Sequence, residues 1–188
     1  MNILIISSSV RPGRNTHRAT LGIAKHLQNS SEVEAQVLDL MDHPLPLLEA
    51  TFGSLESPSE ELQALQAQLE WADAMIFVSP EYNGTFSSAL KNFVDTFAKG
   101  PFMDKPIGVC SVSTGPGGGI RGALQMQSLV LAIFAFPIPQ MMLVPRVKQV
   151  FDEEGNLLDE GFQTKIDSFS QKLIWFTKRM LREEKVSA

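Results

Sequence analysis

Cysteine occurs only once in this chain of 188 residues, at Cys110, histidine three times, and 21 acidic residues outnumber 16 basic ones. A single thiol excludes an internal disulfide, and no Cys/His spacing resembles a metal site. Cys110 lies in an apolar run and reads as a small buried hydrophobe rather than a nucleophile. A net charge of -5 without a basic tail argues against a nucleic-acid partner. The N-terminal "MNILIISSSVR" has no charged segment ahead of its apolar run, and that run is too short for a signal peptide or a membrane span. It reads as the first strand of a cytoplasmic protein with no membrane association. The Asn29-Ser30-Ser31 and Asn83-Gly84-Thr85 glycosylation patterns matter only in a secreted chain.

What is present is an alternation of strand-like and helix-like segments within a length that suits one domain over 1–188. Ile3–Ile6 is a short, β-branched apolar run of the kind buried on both faces of a sheet. Asn15 or Thr16 can cap a helix running to about Gln28. Further strands are expected over Val33–Leu38, Ala74–Val78, Ile107–Val112 and Ile138–Val144. Further helices are expected over Glu60–Trp71, Phe86–Ala98, Arg121 to about Phe134, and Glu160–Glu184. The segment around "DHPLPLLEATFGSLESPSE" is read as a surface loop that could border a site. Pro145–Leu158 is read as loop, with "DEEGN" as a turn. Leu124–Phe136 is apolar enough to suggest burial all round, either as a central core helix or at a subunit interface. Alternation of this type implies a parallel sheet with helices on both faces, and five strands fit the doubly wound order 2-1-3-4-5. Ligands in such sheets sit beyond the carboxyl ends of the strands at the switch point. The loops after strands one, three and four are therefore the places where chemistry is expected.

Loop one, Ser7–Thr16, holds three serines, Arg11, Arg14 and an Asn-Thr pair before a helix. Free N–H groups at a helix start and the planar Arg11 guanidinium suit a phosphate. An ordinary capped helix with solvated arginines reads equally well from this loop alone. It contains no Gly-Lys-Ser/Thr, so a Walker A loop is excluded. Loop three, Ser113–Gly119, offers hydroxyls and flexible backbone for close approach to a flat ring. Gly117, Gly119 and Gly122 satisfy G-x-G-x-x-G, but no acidic residue closes the next strand, so the dinucleotide fingerprint is rejected. Loop two, within "IFVSPEYNGTFSSALKNFVD", is the most unusual. Pro80 ends a strand, Tyr82 could flank a flat ligand, and Asn83 could fix its neighbours or bond a ring edge. Gly84 lets the chain turn. Glu81 is either a solvated loop carboxylate or a structural hydrogen-bond acceptor. His17, His26 and His43 lie outside loops two and three, and no Ser-His-Asp or Cys-His arrangement is evident.

The run Pro80, Glu81, Tyr82, Asn83, Gly84, followed by Leu90, Lys91, Asn92 and Asp95, resembles the signature of the NAD(P)H-dependent FMN reductases. These are flavodoxin-like proteins that include flavin, quinone, azo-dye and chromate reductases. The similarity extends over nearly the whole chain. It implies a three-layer α/β fold and an FMN cofactor, with NADPH or NADH as hydride donor and a small-molecule electron acceptor. It also implies a homodimer or homotetramer. The family's phosphate loop maps onto Ser9 and Arg11, with Asn15 and Thr16 at the helix start. Its ring contacts map onto Pro80, Glu81, Tyr82 and Asn83, with Gly84 closing the motif, and onto Ser113, Thr114 and Gly115. Ser8 stands where the family usually has Gly, and Arg14 where many members have Ser. No catalytic side chain is implied, because the flavin carries the chemistry. Backbone N–H groups of Thr114 and Gly115 are candidates to stabilise charge on the reduced ring. Arg14, Arg18 and Arg121 are candidate cations for the extra phosphate of NADPH. The competing readings are a flavodoxin-type electron carrier without a substrate of its own, and a relative that has lost FMN.

Overall fold

A computed structural model describes residues 1–183. Its parallel strands are β1 (Asn2–Ser7), β2 (Glu34–Asp39), β3 (Ala74–Pro80) and β4 (Pro106–Val112), followed by the short β5 (Phe136–Pro137) and β6 (Met142–Val144). The helices are α1 (Thr16–Gln28), α2 (Glu60–Trp71), α3 (Ser88–Phe97), α4 (Ile120–Ala132), α5 (Val147–Val150) and α6 (Gln163–Glu183). The sheet order is β2-β1-β3-β4-β5, with β6 also paired to β4. This is the expected doubly wound order, and all pairs are parallel.

Side-chain alternation along β1 builds two cores. Ile3 and Ile5 face one side with Ile23 and Leu27 of α1 and Phe169 and Leu173 of α6. Leu4 and Ile6 face the other with Leu65 and Leu69 of α2, Phe93 of α3 and Met126 of α4. A strand with helices on both faces has no polar side, which explains the continuous apolar runs of β1, β3 and β4. Cys110 of β4 is fully buried, and burial pushes its thiol pKa up, away from thiolate chemistry. Helix starts follow local rules. Ser59 accepts from Leu62 N–H and Ser87 accepts from Leu90 N–H, each capping its helix.

Four expectations need correction. The fifth strand is interrupted, because β5 and β6 pair with opposite ends of β4 and the chain leaves the ladder between them. Pro137 and Pro139 lack the N–H that a continuous strand would donate. Residues 145–158 are not all loop: α5 and a bridge between Phe151 and Leu157 lie there, with the expected turn between them. The last helix begins with a separate 3-10 turn, Glu160–Phe162, and the expected end at Glu184 lies outside the described residues. Finally, α4 is not buried all round. Ala123, Met126 and Val130 face the core, but Leu124 and Leu131 are 51% and 61% exposed, as are Phe134 and Phe136 beyond the helix end in lesser or similar degree. Among the described residues no helix is long and apolar enough to cross a membrane.

Candidate functional site

The carboxyl ends of β1, β3 and β4 open into a cavity of about 400 Å³, within the range of small-molecule sites. It is lined by Ser9, Arg11, Arg14, Asn15 and Thr16 from loop one, Pro80, Glu81 and Tyr82 from loop two, and Ser113 and Thr114 from loop three. Asn83 and Gly84 do not line it. They form the central pair of a tight turn in which Tyr82 and Thr85 exchange backbone hydrogen bonds of 2.8 and 3.1 Å. Both have positive φ, 52° and 88°, the backbone of a primed hairpin turn and the reason Asn-Gly suits it. The turn presents Tyr82, the chain's one tyrosine, to the cavity. Gly115 also stands just outside. Its N–H donates to Ser113 Oγ at 3.0 Å and its carbonyl accepts from Arg146 N–H at 3.0 Å. Of the Thr114 and Gly115 amides, only that of Thr114 is without a protein acceptor among the described residues.

Loop one wraps the start of α1. Asn15 precedes the helix without a side-chain cap bond, and no acidic residue occupies the first turn. The helix therefore presents free N–H groups and uncompensated partial positive charge beside the cavity. Arg11 is exposed, has no carboxylate partner among the described residues, and lies 5.4 Å over the Tyr82 ring. Tyr82 OH is 3.2 Å from Ser9 Oγ, which ties loops one and two together. Ser8 adopts ordinary negative-φ backbone; its carbonyl accepts from Ser87 Oγ at 2.8 Å, and its hydroxyl lies 2.9 Å from the same Oγ.

Glu81 is a structural acceptor, not a solvated carboxylate. Its Oε2 accepts from the N–H groups of Arg121 and Gly122 at 3.1 and 3.2 Å. Its Oε1 accepts from Arg121 Nε and Nη2 at 3.0 and 2.7 Å. Burial pushes the carboxyl pKa up, but the bonds from Gly122 and Arg121 together outweigh it, so the group lies below the usual carboxylate value. Glu81 thus fastens the first turn of α4 to the end of β3.

The three arginines expected to greet a nicotinamide phosphate all have carboxylate partners. Arg121 pairs with Glu81, Arg18 with Glu153 at 2.6 Å, and Arg14 with Asp39 through both carboxylate oxygens. His17 Nδ1 lies 3.1 Å from Asp39 Oδ2 and from Ser7 Oγ. Burial lowers the His17 pKa more than Asp39 raises it, so the imidazole pKa lies below its ordinary value.

Sequence reasoning missed Val147 and Val112 as lining residues, and Asp39, which stands against Arg14. Val147 arrives from α5, 28 positions after loop three ends at Gly119, and nothing local in the sequence marks it. Asp39 left one signal, an acid closing a strand next to the switch point. The long connection after β2 does not line this cavity. Asn92 of α3 pins it instead, donating to Pro46 O at 2.7 Å and accepting from Leu48 N–H at 3.0 Å. The signature asparagine is therefore a loop anchor.

A family profile described as NADPH-dependent FMN reductase matches residues 1–149. An NADPH:quinone oxidoreductase of Arabidopsis thaliana is 29% identical over 184 residues, covering 96% of this chain and 93% of the relative. An FMN-dependent NADPH-azoreductase of Staphylococcus saprophyticus is 27% identical over 185 residues, covering 95% and 96%. Among solved structures, a flavoenzyme NAD(P)H:(acceptor) oxidoreductase from Paracoccus denitrificans superposes with a TM-score of 0.79. It covers 95% of this chain and 98% of its own, at 18% identity, a likeness of fold.

Proposed function

The chain belongs to the NADPH-dependent FMN reductase family, and from that membership we propose that its cavity holds FMN and serves the reduction of a small, diffusible acceptor. The observation that carries this reading is the convergence of three separate loops on one cavity beside the uncapped start of α1. The donor set fits the cofactor. Ser9, Arg11, Thr16 and the first amides of α1 are donors for a phosphate dianion. Among the described residues the only carboxylate lining the cavity, Glu81, is turned into its bonds with Arg121 and Gly122, so no unpaired acid among them opposes an anion there.

The chemistry FMN would supply when bound is hydride transfer between NADPH or NADH and the acceptor. The chain's part is binding and orientation. Pro80 and Tyr82 would wall the ring region, Ser113 supports the loop three backbone, and the Thr114 N–H, without a protein acceptor among the described residues, would be the donor for a ring acceptor. Asn83, Gly84 and Gly115 act by shaping loops two and three rather than by lining the site. Glu81 holds the α4 side of the wall. Relatives named for quinone and azo substrates support an acceptor of that size and planarity, and free flavin and metal oxyanions belong to the same class of outer acceptors. A cytoplasmic setting supplies the reduced nicotinamide this reading needs.

The test is the visible spectrum of the purified protein followed by anaerobic addition of NADPH. A yellow protein whose visible flavin absorbance bleaches on addition is expected, since reduction of the bound flavin removes it. A flavin-bearing protein that bleaches only with a separate reductase would be an electron carrier. A protein that stays colourless after FMN addition would be a relative without the cofactor.

A homodimer or homotetramer is part of this proposal. Ile120, Leu124 and Leu131 form one exposed apolar stripe on α4, continued by Phe134 and Phe136, and such patches on soluble proteins mark interaction surfaces. Sedimentation should report an oligomer that Leu131→Asp dissociates. A native protein sedimenting as a monomer at micromolar concentration would refute it.

A further inference from the structure

Loop one contains two arginines with opposite circumstances. Arg11 is exposed and free of any carboxylate among the described residues, whereas Arg14 is nearly enclosed, with its side chain 13% exposed and that of Asp39 9%. Arg14 Nη1 donates to Asp39 Oδ1 at 2.5 Å and also to the Ser9 carbonyl at 2.8 Å, while Nη2 donates to Asp39 Oδ2. Asp39 is itself fixed. It closes β2 opposite Ser7 of β1, and its Oδ1 accepts from Met41 N–H at 3.1 Å. The His17 ring, on the first turn of α1, stands against the other oxygen. Ser9, at the far end, lines the cavity and meets Tyr82 OH through its hydroxyl. A continuous path of polar contacts thus runs from the end of β2 through Arg14 to Ser9 and Tyr82.

An enclosed ion pair is a poor source of stability, because desolvation of both ions offsets their attraction. Here the pair does something apolar residues could not. It converts the rigid end of β2 into a hydrogen-bond donor that holds one specific loop carbonyl. Its charge is cancelled by Asp39, so it adds little field for an anion, whereas Arg11 retains its own. We propose that Arg14 and Asp39 are positioning residues that set loop one for the cofactor phosphate, with Arg11 as the direct cation. The inference rests on the FMN reading above.

The two possible roles of Arg14 differ in sign. If Arg14 touched the phosphate directly, removing the Asp39 charge would strengthen FMN binding. If the pair is a strut, removing Asp39 releases Arg14 and Ser9 and weakens it. The experiment uses full-length protein freed of flavin, checked for folding by circular dichroism, and titrated with FMN and with riboflavin, which lacks the phosphate. The wild type should prefer FMN. Asp39→Asn and Arg14→Gln should each weaken FMN binding by about 10- to 100-fold, the equivalent of one charge-assisted bond, and leave riboflavin nearly unchanged. Arg14→Lys should not restore the preference, because an ammonium cannot grip both Asp39 oxygens and the Ser9 carbonyl together.

Tighter FMN binding in Asp39→Asn, or rescue by Arg14→Lys, would overturn the strut in favour of direct contact. Equal losses for both flavins would reduce the pair to general stability and also overturn it. A wild type that binds neither flavin would refute the FMN reading and this inference with it. A wild type preferring FMN whose variants keep that preference would refute the inference alone.

Discussion

Glu81→Ala should lower the melting temperature by several degrees and release flavin from the purified protein. The carboxylate accepts four hydrogen bonds, two from backbone amides at the start of α4 and two from the Arg121 guanidinium. Its side chain is 13% exposed while that of Arg121 is 73% exposed. After truncation Arg121 returns to water at little cost, and the first-turn amides can be partly hydrated. The net loss is therefore about 2 kcal/mol rather than the larger penalty of an orphaned buried charge, or about 4–8 °C for a domain of this size. The effect on the cofactor is greater than this figure implies, because the tether sets the distance between loop two and α4. Glu81→Gln keeps the shape and should fall between the wild type and alanine. The pH dependence has a definite sign. The folded pKa is depressed, so the contribution is complete above the ordinary carboxylate value of 4.5 and disappears as pH falls through the lower folded value. The stability gap between wild type and Glu81→Gln should therefore close in acid. Melting curves over that range, with flavin fluorescence of the filtrate, measure both effects. Unchanged melting and flavin retention in Glu81→Ala would mean the tether is dispensable.

Gly155→Ala is expected to be more damaging, though it is nowhere near loops one to three in sequence. Gly155 has a φ of 80°, and a Cβ there would sit 2.5 Å from Leu21 Cβ and 2.7 Å from the Gly22 backbone nitrogen. Gly22 faces it for a matching reason, since its own missing side chain admits the Phe151 ring. The turn therefore lies directly on α1. Adding a methyl group costs about 1–2 kcal/mol for the left-handed backbone and about 1–3 kcal/mol for overpacking against atoms that cannot yield. The strain is transmitted to the site. Phe151 N–H donates to Val147 O at 2.8 Å, and Val147 lines the cavity. A fall in melting temperature of at least about 5 °C is expected, with weakened flavin binding. Gly53→Ala is the control: a Cβ there meets nothing within 4 Å, and its effect should stay within about 0.5 kcal/mol. Equal melting temperatures for the two variants would contradict the packing argument.

The strands that carry the site were legible because β1, β3 and β4 are buried on both faces, and only long apolar β-branched runs survive there. The fifth strand was misjudged because its prolines act on a ladder partner that is distant in sequence. The "PEYNG" segment announced itself through Asn83 and Gly84, whose tolerance of positive φ is a local property. What Glu81 does was not legible. Its partners lie forty positions away at Arg121 and Gly122, and the same carboxylate reads equally well as solvated until α4 is in place. Arg14 was misread for the same reason: a cation in a loop looks available until the fold brings Asp39 beside it.

The amino-acid sequence alone determined the first four strands, the helices that follow them and the doubly wound order of the sheet, since periodicity, caps and turn residues act over a few neighbouring positions. Tertiary structure alone decided which charges in those loops are spent on the protein itself and which remain for a ligand. Charge pairing depends on distance in space, and in a doubly wound sheet the nearest partner of a loop residue comes from another crossing of the chain.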